Sequence, residues 1–263
     1  MAPEFIRTEI RDGVGFITLD RPAVLNSFHR AMARELQTSL DELAARGDTR
    51  ALVLTGAGRA FCAGQDLAEV VPPDGSPGPE VSAVVAESYN PLVRRIAALE
   101  KPIVCAVNGV AAGAGANLAL ACDFVLAAKT ASFIQSFVNI GLVPDSGGTF
   151  FLPRLVGIAR AKALTLLGDR LTAEQAFAYG LIYAVHEPDR LLPEAEALAA
   201  RLAQMPTLAI GLTKRALQAS LDSDLERQLE LERALQAVAA KSHDYAEGVK
   251  AFQEKRKPKF TGR

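Results

Sequence analysis

Residues 108–123, NGVAAGAGANLALACD, decide which fold the sequence predicts. The apolar run Ile103–Val107 precedes them, and residues 118–121 continue as Leu-Ala-Leu-Ala after a turn made of glycine and alanine. This pattern predicts a buried strand, a turn and a buried helix whose first turn has almost no side chains. The unpaired N–H groups at such a helix start, together with the positive end of the helix dipole, stabilise negative charge on an oxygen atom.

The same stretch leaves other structures open. A membrane-spanning helix could use the apolar residues 103–128, although Asn108, Asn117 and Asp123 interrupt them. A dinucleotide-binding loop of the G-x-G-x-x-G type would need its third glycine at Leu118, and an acidic residue about 20 positions later. A buried helix that packs tightly and binds nothing would also explain the small residues.

Composition and charge narrow the class of protein. The chain of 263 residues, with 49% hydrophobic and 22% charged residues, suits one large α/β domain, with or without a helical appendage. Its net charge of −1 gives no reason to expect nucleic acid or a membrane surface as a partner. The charged start lacks the apolar segment of a signal peptide. The three cysteines lack C-x-x-C spacing and the three histidines are far apart, so we expect a cytoplasmic protein with reduced thiols and no metal site.

The first part of the chain alternates short strands with helices. Residues 4–10 and Val14–Leu19 flank an Arg-Asp-Gly turn, which predicts a β-hairpin. The helix predicted over 30–46 can take its N-cap from residues 26–27, Asn-Ser. A buried strand over 51–55 leads into a second turn of small residues, 61–67, which repeats the pattern of the central stretch.

The rest of the sequence becomes increasingly helical. A segment rich in proline and glycine, 71–80, is expected to be either a mobile surface loop or a lid near a ligand. A helix over 81–99 should be interrupted near Pro91. The tight loop 141–148 leads into a further helix, helices dominate the residues after 160, and the end is basic.

Several motifs, spaced along the chain and in the same order, resemble the enoyl-CoA hydratase/isomerase family, also called the crotonase superfamily. The resemblance covers nearly the whole chain. The matching motifs are LDRP at 19–22 with Asn26, FCAGQDL at 61–67, residues 101–123, GLVPDSGG at 141–148, and residues 247–248 and 251–256. A set of motifs spread in this way is far more specific than a single glycine-rich loop.

The resemblance implies an α/β fold, with a spiral of ββα units over residues 1–195 and a C-terminal helical trimerisation region over 196–263. It also implies an acyl-CoA substrate, a homotrimer or a hexamer of two trimers, and no further cofactor, because CoA is part of the substrate. The backbone N–H groups of Gln65 and Ala114 would form an oxyanion hole for the thioester oxygen. The implied substrate and CoA contacts are Val24, Leu25, Ala63, Gly64, Asp66, Leu67, Gly113, Pro144, and Phe252 and Lys255 from a neighbouring subunit.

The carboxylates decide which reaction the resemblance implies. Family hydratases carry two glutamates, and these correspond to Asn117 and Phe137 here, so addition of water is not expected. Asp145 matches the aspartate of several isomerases in the superfamily. We therefore expect Asp145 to move one proton between two carbons of an acyl-CoA, with its pKa raised by apolar neighbours. As an alternative, Asp145 could be only the N-cap of the helix that follows it.

The acyl group and the exact reaction are less well determined. Residues 89–95, 108–116 and 144–149 resemble most closely the family members that rearrange an aromatic-ring epoxide on an acyl-CoA into a seven-membered oxepin. The alternatives are a Δ3,Δ2-enoyl-CoA isomerase or hydratase of fatty-acid oxidation, and a dehalogenase with Asp145 as nucleophile. A non-catalytic assembly or RNA-binding member of the family is a further alternative of a different class.

Overall fold

The structure is a computed structural model that describes residues 4–71 and 76–263, so part of the proline-rich loop lies outside the described residues. Its strands are numbered in chain order. They are β1 (Ile6–Arg11), β2 (Val14–Leu19), β3 (Ala51–Gly56), β4 (Ala60–Cys62), β5 (Ile103–Val107), β6 (Val110–Ala112), β7 (Phe124–Ala128), β8 (Ser132–Ile134), β9 (Arg170–Thr172) and β10 (Ala184–His186). The predicted hairpin is confirmed, because β1 and β2 pair antiparallel.

The strands belong to two sheets that the chain visits alternately. One sheet has the order β1-β2-β3-β5-β7-β10, and the other has the order β4-β6-β8-β9. The chain passes from β3 to β4, from β5 to β6 and from β7 to β8, and a helical segment follows each pair. Strands that are neighbours along this path run parallel in both sheets. This arrangement is the predicted spiral of ββα units.

The helices surround and connect these sheets. They are α1 (Arg30–Ala45), α2 (Leu67–Val70), α3 (Val81–Val84), α4 (Asn90–Ala98), α5 (Ala114–Leu120), α6 (Gly148–Leu167), α7 (Ala173–Ala178), α8 (Pro188–Ala203), α9 (Thr207–Ala219), α10 (Leu225–Ala239) and α11 (His243–Gln253). A π-helix, Val85–Tyr89, joins α3 to α4, and a 3-10 helix, Ser136–Ile140, follows β8. The interruption predicted near Pro91 is therefore a π-helix just before it, where proline cannot donate a regular backbone hydrogen bond.

The predicted N-cap of α1 at residues 26–27 is wrong. His29 caps this helix, because its Nδ1 accepts from the Met32 N–H at 3.0 Å. Asn26 instead adopts a left-handed conformation with φ of 56° and is fully buried. Its side chain donates to the Ala60 carbonyl at 2.9 Å, so it ties the segment after β2 to β4 and cannot reach the helix start.

The central stretch has the predicted buried strand and buried helix, with one strand more than expected. β6 separates β5 from α5, and it pairs in the smaller sheet. A Cβ on Gly115 would lie 2.6 Å from the Cys62 carbonyl oxygen, so glycine lets α5 pack directly on the end of β4. Because β5 pairs with both β3 and β7, the alternative of a membrane-spanning helix here is wrong. Among the described residues, no helix is long and apolar enough to cross a membrane.

The C-terminal part of the chain is helical, as predicted. α8 packs against β3, β5 and β7 and runs through residue 195, and α10 packs against α9. The last helices expose large apolar side chains to solvent, among them Leu217, Leu225, Leu229, Val249 and Phe252. Such side chains are what a subunit interface would cover. The trimer and the division of the chain at residue 195 stay predictions.

Candidate active site

A cavity of about 290 Å³ lies where three segments of the chain meet. These segments follow β4, β6 and β8, which run parallel and side by side, so their carboxyl ends reach the same edge of the smaller sheet. Ligands of α/β proteins commonly bind at this edge. The cavity brings together seven of the residues predicted for the site, namely Ala63, Gly64, Gln65, Leu67, Gly113, Ala114 and Asp145.

The turn after β4 leaves the Gln65 N–H without a protein partner. The Phe28 N–H donates to the Gly64 carbonyl at 2.7 Å, and the Phe28 carbonyl accepts from the Asp66 N–H at 2.7 Å. These two bonds flank Gln65 on one side, so its own N–H and carbonyl face away from Phe28. Within residues 4–71 and 76–263, nothing accepts a hydrogen bond from the Gln65 N–H. A free backbone donor is therefore present at the cavity wall.

The turn after β6 supplies a second donor. Gly113 has φ of 51° and ψ of −124°, a conformation that suits glycine, and α5 begins directly after it. The first bond of α5 runs from the Asn117 N–H to the Gly113 carbonyl at 3.1 Å, so the Ala114 N–H has no partner inside the helix. The two turns are in contact, because a Cβ on Gly64 would lie 2.9 Å from the Ala112 carbonyl oxygen and 3.8 Å from the Ala114 nitrogen.

Asp145 supplies the carboxylate of the cavity. Among the described lining residues it is the only Asp or Glu. Desolvation of this half-buried carboxyl raises its pKa above the ordinary value, and a hydrogen bond from Ser146 Oγ at 2.8 Å partly opposes the rise. Its alternative role as a helix cap is wrong, because the N-cap of α6 is Gly147 and no side chain caps that helix. The carboxylate does not cap the helix and can therefore act as a base.

The two positions that correspond to the hydratase glutamates have other uses. Phe137 is buried and lines the cavity as an apolar surface. Asn117 is fully buried, and its Nδ2 donates to the Asp145 carbonyl at 2.9 Å while its Oδ1 accepts from Gln135 Nε2 at 2.8 Å. Neither side chain can exchange a proton at neutral pH. Among the described residues, the cavity therefore contains the parts for moving a proton on a carbon acid, but not a pair of carboxylates for activating water.

Sequence reasoning missed part of the cavity wall. Tyr89 and the half-buried Ser136 bring hydroxyl groups to it, and Val81, Val84 and Val85 form an apolar face. The valine spacing is typical of a buried helix face and could have indicated the wall. The π-helix that ends at Tyr89 has no comparable sequence signal. Ser136 is a small residue next to Phe137, and its sequence context does not indicate a cavity wall.

Three predicted substrate contacts lie beside the cavity and take part in protein contacts. Both carboxylate oxygens of Asp66 are engaged, one with Arg21 Nη2 at 3.0 Å and the other with the Ala68 N–H at 3.1 Å. The Leu25 carbonyl accepts from the Ala63 N–H at 3.0 Å, which holds Leu25 and the neighbouring Val24 against the first turn. These contacts fix the rim of the cavity on the side of β4.

The remaining predicted residues include two that the single chain does not bring to its own cavity. Pro144 directly precedes Asp145 and is half-buried. Phe252 is 85% exposed at the end of α11, and Lys255 follows it, also exposed. Since both were assigned to a neighbouring subunit's site, their role stays a prediction.

Comparison with known proteins agrees with this fold. The family model described as enoyl-CoA hydratase/isomerase matches residues 9–263. The 1,2-epoxyphenylacetyl-CoA isomerase of Escherichia coli (strain K12) is 50% identical over 261 residues, which are 99% of each chain. A Rhodobacter capsulatus protein named probable enoyl-CoA hydratase is 47% identical over 263 residues, 100% of both chains. A crystal structure of an enoyl-CoA hydratase from Bacillus anthracis superimposes with a TM-score of 0.93 at 34% identity, covering 99% of this chain and 100% of that one. The chain therefore belongs to the enoyl-CoA hydratase/isomerase family, and its fold is that of the crotonases.

Proposed function

We propose that the protein is an acyl-CoA isomerase that converts ring-1,2-epoxyphenylacetyl-CoA to oxepin-CoA, a step of phenylacetate catabolism. The observation that carries the proposal is one cavity in which the described residues supply a single carboxylate, Asp145, and two unpaired backbone donors, Gln65 and Ala114. The 50% identity to the E. coli 1,2-epoxyphenylacetyl-CoA isomerase supports the choice of the ring epoxide.

A single carboxylate is sufficient for this reaction, because the proton that it removes returns to the same molecule. The carbon–carbon bond that the epoxide shares with the six-membered ring breaks, so that the oxygen becomes part of a seven-membered ring. Asp145 takes a proton from the carbon next to the thioester, and the electron pair left behind forms a double bond to the ring and displaces a ring double bond toward the next carbon. The protonated Asp145 then gives the proton to a ring carbon. Product and substrate have the same atoms and the same oxidation level, so the reaction consumes no redox equivalent.

Burial prepares Asp145 for this role. An ordinary aspartate, with a pKa of about 3.9, is a weak base. Desolvation raises the pKa of Asp145, which strengthens it as a base. General base catalysis of this kind contributes roughly 10²–10⁴ to the rate.

The two backbone donors stabilise the charge that the base creates. Loss of the proton places negative charge on the thioester oxygen, and the N–H groups of Gln65 and Ala114 bind that oxygen. Because both donors are held by the backbone of their turns, they need no reorganisation during the reaction. One such donor is typically worth about 10²–10³ in kcat.

The binding of CoA and the assembly are part of the same proposal. Val24 and Leu25 contact the CoA moiety beside the first turn, and Phe252 and Lys255 reach the site of a neighbouring subunit in a homotrimer or hexamer. The 85% exposure of Phe252 fits this placement, because an aromatic side chain gains stability when a partner covers it. No cofactor other than the substrate's own CoA is involved.

Replacement of Asp145 by Asn tests the proposal. The variant keeps the size and most polar contacts of the side chain but cannot accept the proton, so turnover of the ring epoxide should fall about 10²–10⁴-fold. Its affinity for a CoA ester, measured by calorimetry, should stay within a few-fold of the original protein. Asp222→Asn, a change at a side chain that is 80% exposed, is the matched control. Full activity of the Asp145 variant would contradict the proposed role.

The Δ3,Δ2-enoyl-CoA isomerase is the second candidate. The apolar face of Val81, Val84 and Val85 favours it, because an unbranched acyl chain would also bury itself there. Parallel assays with the ring epoxide and with linear 3-enoyl-CoA esters separate the two candidates by their kcat/KM values. A higher value for the linear esters would replace the ring epoxide as the proposed substrate and leave the proton-transfer mechanism in place.

A further inference from the structure

Tyr89 contacts the side chain of Gln65, whose backbone N–H is a proposed oxyanion donor. The proposed reaction does not by itself require this contact. Its side chain lines the cavity and is only 2% exposed, and its hydroxyl donates to Gln65 Oε1 at 2.6 Å. Gln65 is the residue whose backbone N–H is free at the cavity wall. The contact therefore joins a buried phenol on one wall to the donor turn on another.

A second hydrogen bond fixes the direction of the Gln65 amide. Gln65 Nε2 donates to Glu69 Oε2 at 2.9 Å, and the other oxygen of Glu69 accepts from the Arg30 N–H at 3.0 Å. A carboxylate can only accept, so the amide must present its nitrogen to Glu69 and its oxygen to Tyr89. The side chain of Gln65 is thus held at both ends, between α2 and the wall that carries Tyr89.

The position of Tyr89 is also fixed from behind. It is the last residue of the π-helix, a rare element that is frequent at functional sites. Gln37 Nε2 donates to the carbonyls of Glu87 and Ser88 at 3.1 and 3.2 Å, and so binds carbonyls in the last turn of the π-helix. The Tyr89 ring packs edge-on against Phe28, with centroids 6.2 Å apart, and Phe28 is the residue whose backbone flanks Gln65.

We propose that Tyr89 is a positioning residue for the oxyanion hole: its hydroxyl, bound to the Gln65 side chain, sets the direction in which the Gln65 backbone N–H points. The inference rests on the proposed function, because it assigns a role in aligning that donor with the thioester oxygen. The backbone of Phe28 makes two hydrogen bonds, to Gly64 and Asp66, which fix the residues on either side of Gln65. The side-chain contact restricts the remaining rotation of the peptide between them.

The state of the phenol suits this role. Burial raises the pKa of Tyr89 well above its ordinary value, and the neighbouring negative charges act in the same direction. The hydroxyl therefore stays protonated and remains a donor at every pH below about 10. Its contribution to the rate should consequently be the same at every pH in that range.

Tyr89→Phe removes the hydroxyl and keeps the ring that packs on Phe28. Because small displacements of a catalytic group are costly, we expect kcat to fall about 10–100-fold, with KM changed less than about 3-fold. A CoA thioester of an aryl-conjugated acrylic acid supplies a second readout, since its absorption shifts to the red when the carbonyl is polarised. The shift on binding should be smaller in the variant than in the original protein, at equal occupancy.

A control and a double variant test whether the hydroxyl acts through Gln65. Tyr183→Phe removes the hydroxyl of a tyrosine that is 56% exposed and packs on Phe124, and it should change neither readout. Gln65→Leu removes the acceptor of the Tyr89 hydroxyl and should reduce kcat as well. The double variant Tyr89→Phe/Gln65→Leu should be no slower than Gln65→Leu alone, because residues that share one interaction are not additive.

The outcomes distinguish a failure of the proposed oxyanion hole from a failure of the proposed role of Tyr89. If the original protein binds the chromophore without a red shift, the oxyanion hole itself is wrong, and the role of Tyr89 falls with it. If the red shift is present in the original protein and Tyr89→Phe retains all of it together with full kcat, only the role of Tyr89 is wrong. If the free-energy losses of the two single variants add up in the double variant, the coupling through Gln65 is also overturned.

Discussion

The side-chain amide of Asn117 donates to the main-chain carbonyl of Asp145 at 2.9 Å. A Cβ on Gly148 would collide with the same amide, so the start of α6 packs directly on Asn117. Asn117 thereby joins the two segments that carry the proposed base and the second oxyanion donor, since it lies on α5, three residues after Ala114. The position at which family hydratases carry a glutamate has a structural use in this chain.

Asn117→Asp tests this structural role. The change replaces the donor that faces the Asp145 carbonyl by an acceptor, and it buries a charge without a cation. We expect the free energy of unfolding to fall by about 3 kcal/mol or more at pH 7, and less near pH 4, where the new carboxyl is protonated. Urea unfolding at both pH values measures this. Gln236→Glu, on the exposed side of α10, is the control and should stay within about 0.5 kcal/mol.

The sequence predicted those parts of the fold that local chemistry determines. The Asp-Gly turn between β1 and β2 and the two small-residue turns before α2 and α5 depend on residues adjacent in the chain, and all are present. The spiral and the family were predicted from motifs spaced along the chain, and both are confirmed. Asp145 could be singled out because Asn117 and Phe137 replace the two hydratase glutamates, and because the motif resembles that of isomerases with an aspartate at this place.

The parts that were missed depend on contacts distant in sequence. Asn26 is a good N-cap residue, yet its side chain bonds to Ala60, and His29 caps α1 in its place. Tyr89 donates to Gln65 from the end of the π-helix that precedes α4, and periodicity does not distinguish a π-helix from a regular one. The sequence shows that position 117 has no carboxyl group. The hydrogen bond from Asn117 to Asp145 could not be predicted from it.

The raised pKa of Asp145 implies a cost in stability at neutral pH. Its pKa in the folded state lies above that in the unfolded state, so its stabilising contribution is complete below about pH 3.9 and is lost as the pH rises through the folded-state value. Asp145→Asn removes an ionisation that the fold disfavours. We expect the variant to melt higher at pH 7, by on the order of 2–4 °C, and the difference to shrink toward pH 4.

Scanning calorimetry at a series of pH values measures this difference. The exposed control Asp222→Asn should show no such dependence on pH. A variant that is inactive and also less stable at pH 7 would contradict the desolvation of Asp145, since the carboxylate would then be stabilising the fold.

Gly64 tests whether the geometry of the first donor turn matters. It has φ of 94°, and a Cβ would lie 2.9 Å from the Ala112 carbonyl oxygen, so Gly64→Ala must displace the turn. Because the next residue is Gln65, we expect kcat to fall about 10²-fold or more, as on loss of an oxyanion donor. Gly180→Ala is a matched control, with φ of 76° and the nearest neighbouring atom, the Leu155 carbonyl oxygen, 3.9 Å from the added Cβ. Steady-state kinetics of both variants separate displacement of the turn from the strain that positive φ causes in any alanine.

Asp244 ties the end of the chain to α11. One carboxylate oxygen accepts from the Thr261 N–H and the other from the Gly262 N–H, both at 2.7 Å, and the Asp244 N–H donates to the Arg263 carbonyl at 3.0 Å. Burial alone would raise the pKa of Asp244, but these backbone donors outweigh it and hold the pKa below its ordinary value. This stabilisation is therefore present above the unfolded-state pKa and is lost as the pH falls through the lower folded-state value.

Asp244→Ala should release the chain end even at neutral pH. Because the residue is 2% exposed and its oxygens bind several donors, we expect unfolding to become easier by roughly 2–3 kcal/mol and the C-terminal residues to be cleaved faster by carboxypeptidase. Asp222→Ala, at an 80% exposed side chain, should change neither measurement. Faster cleavage with unchanged unfolding would mean that the chain end frays as a separate unit, and that α11 does not depend on it for its place in the fold.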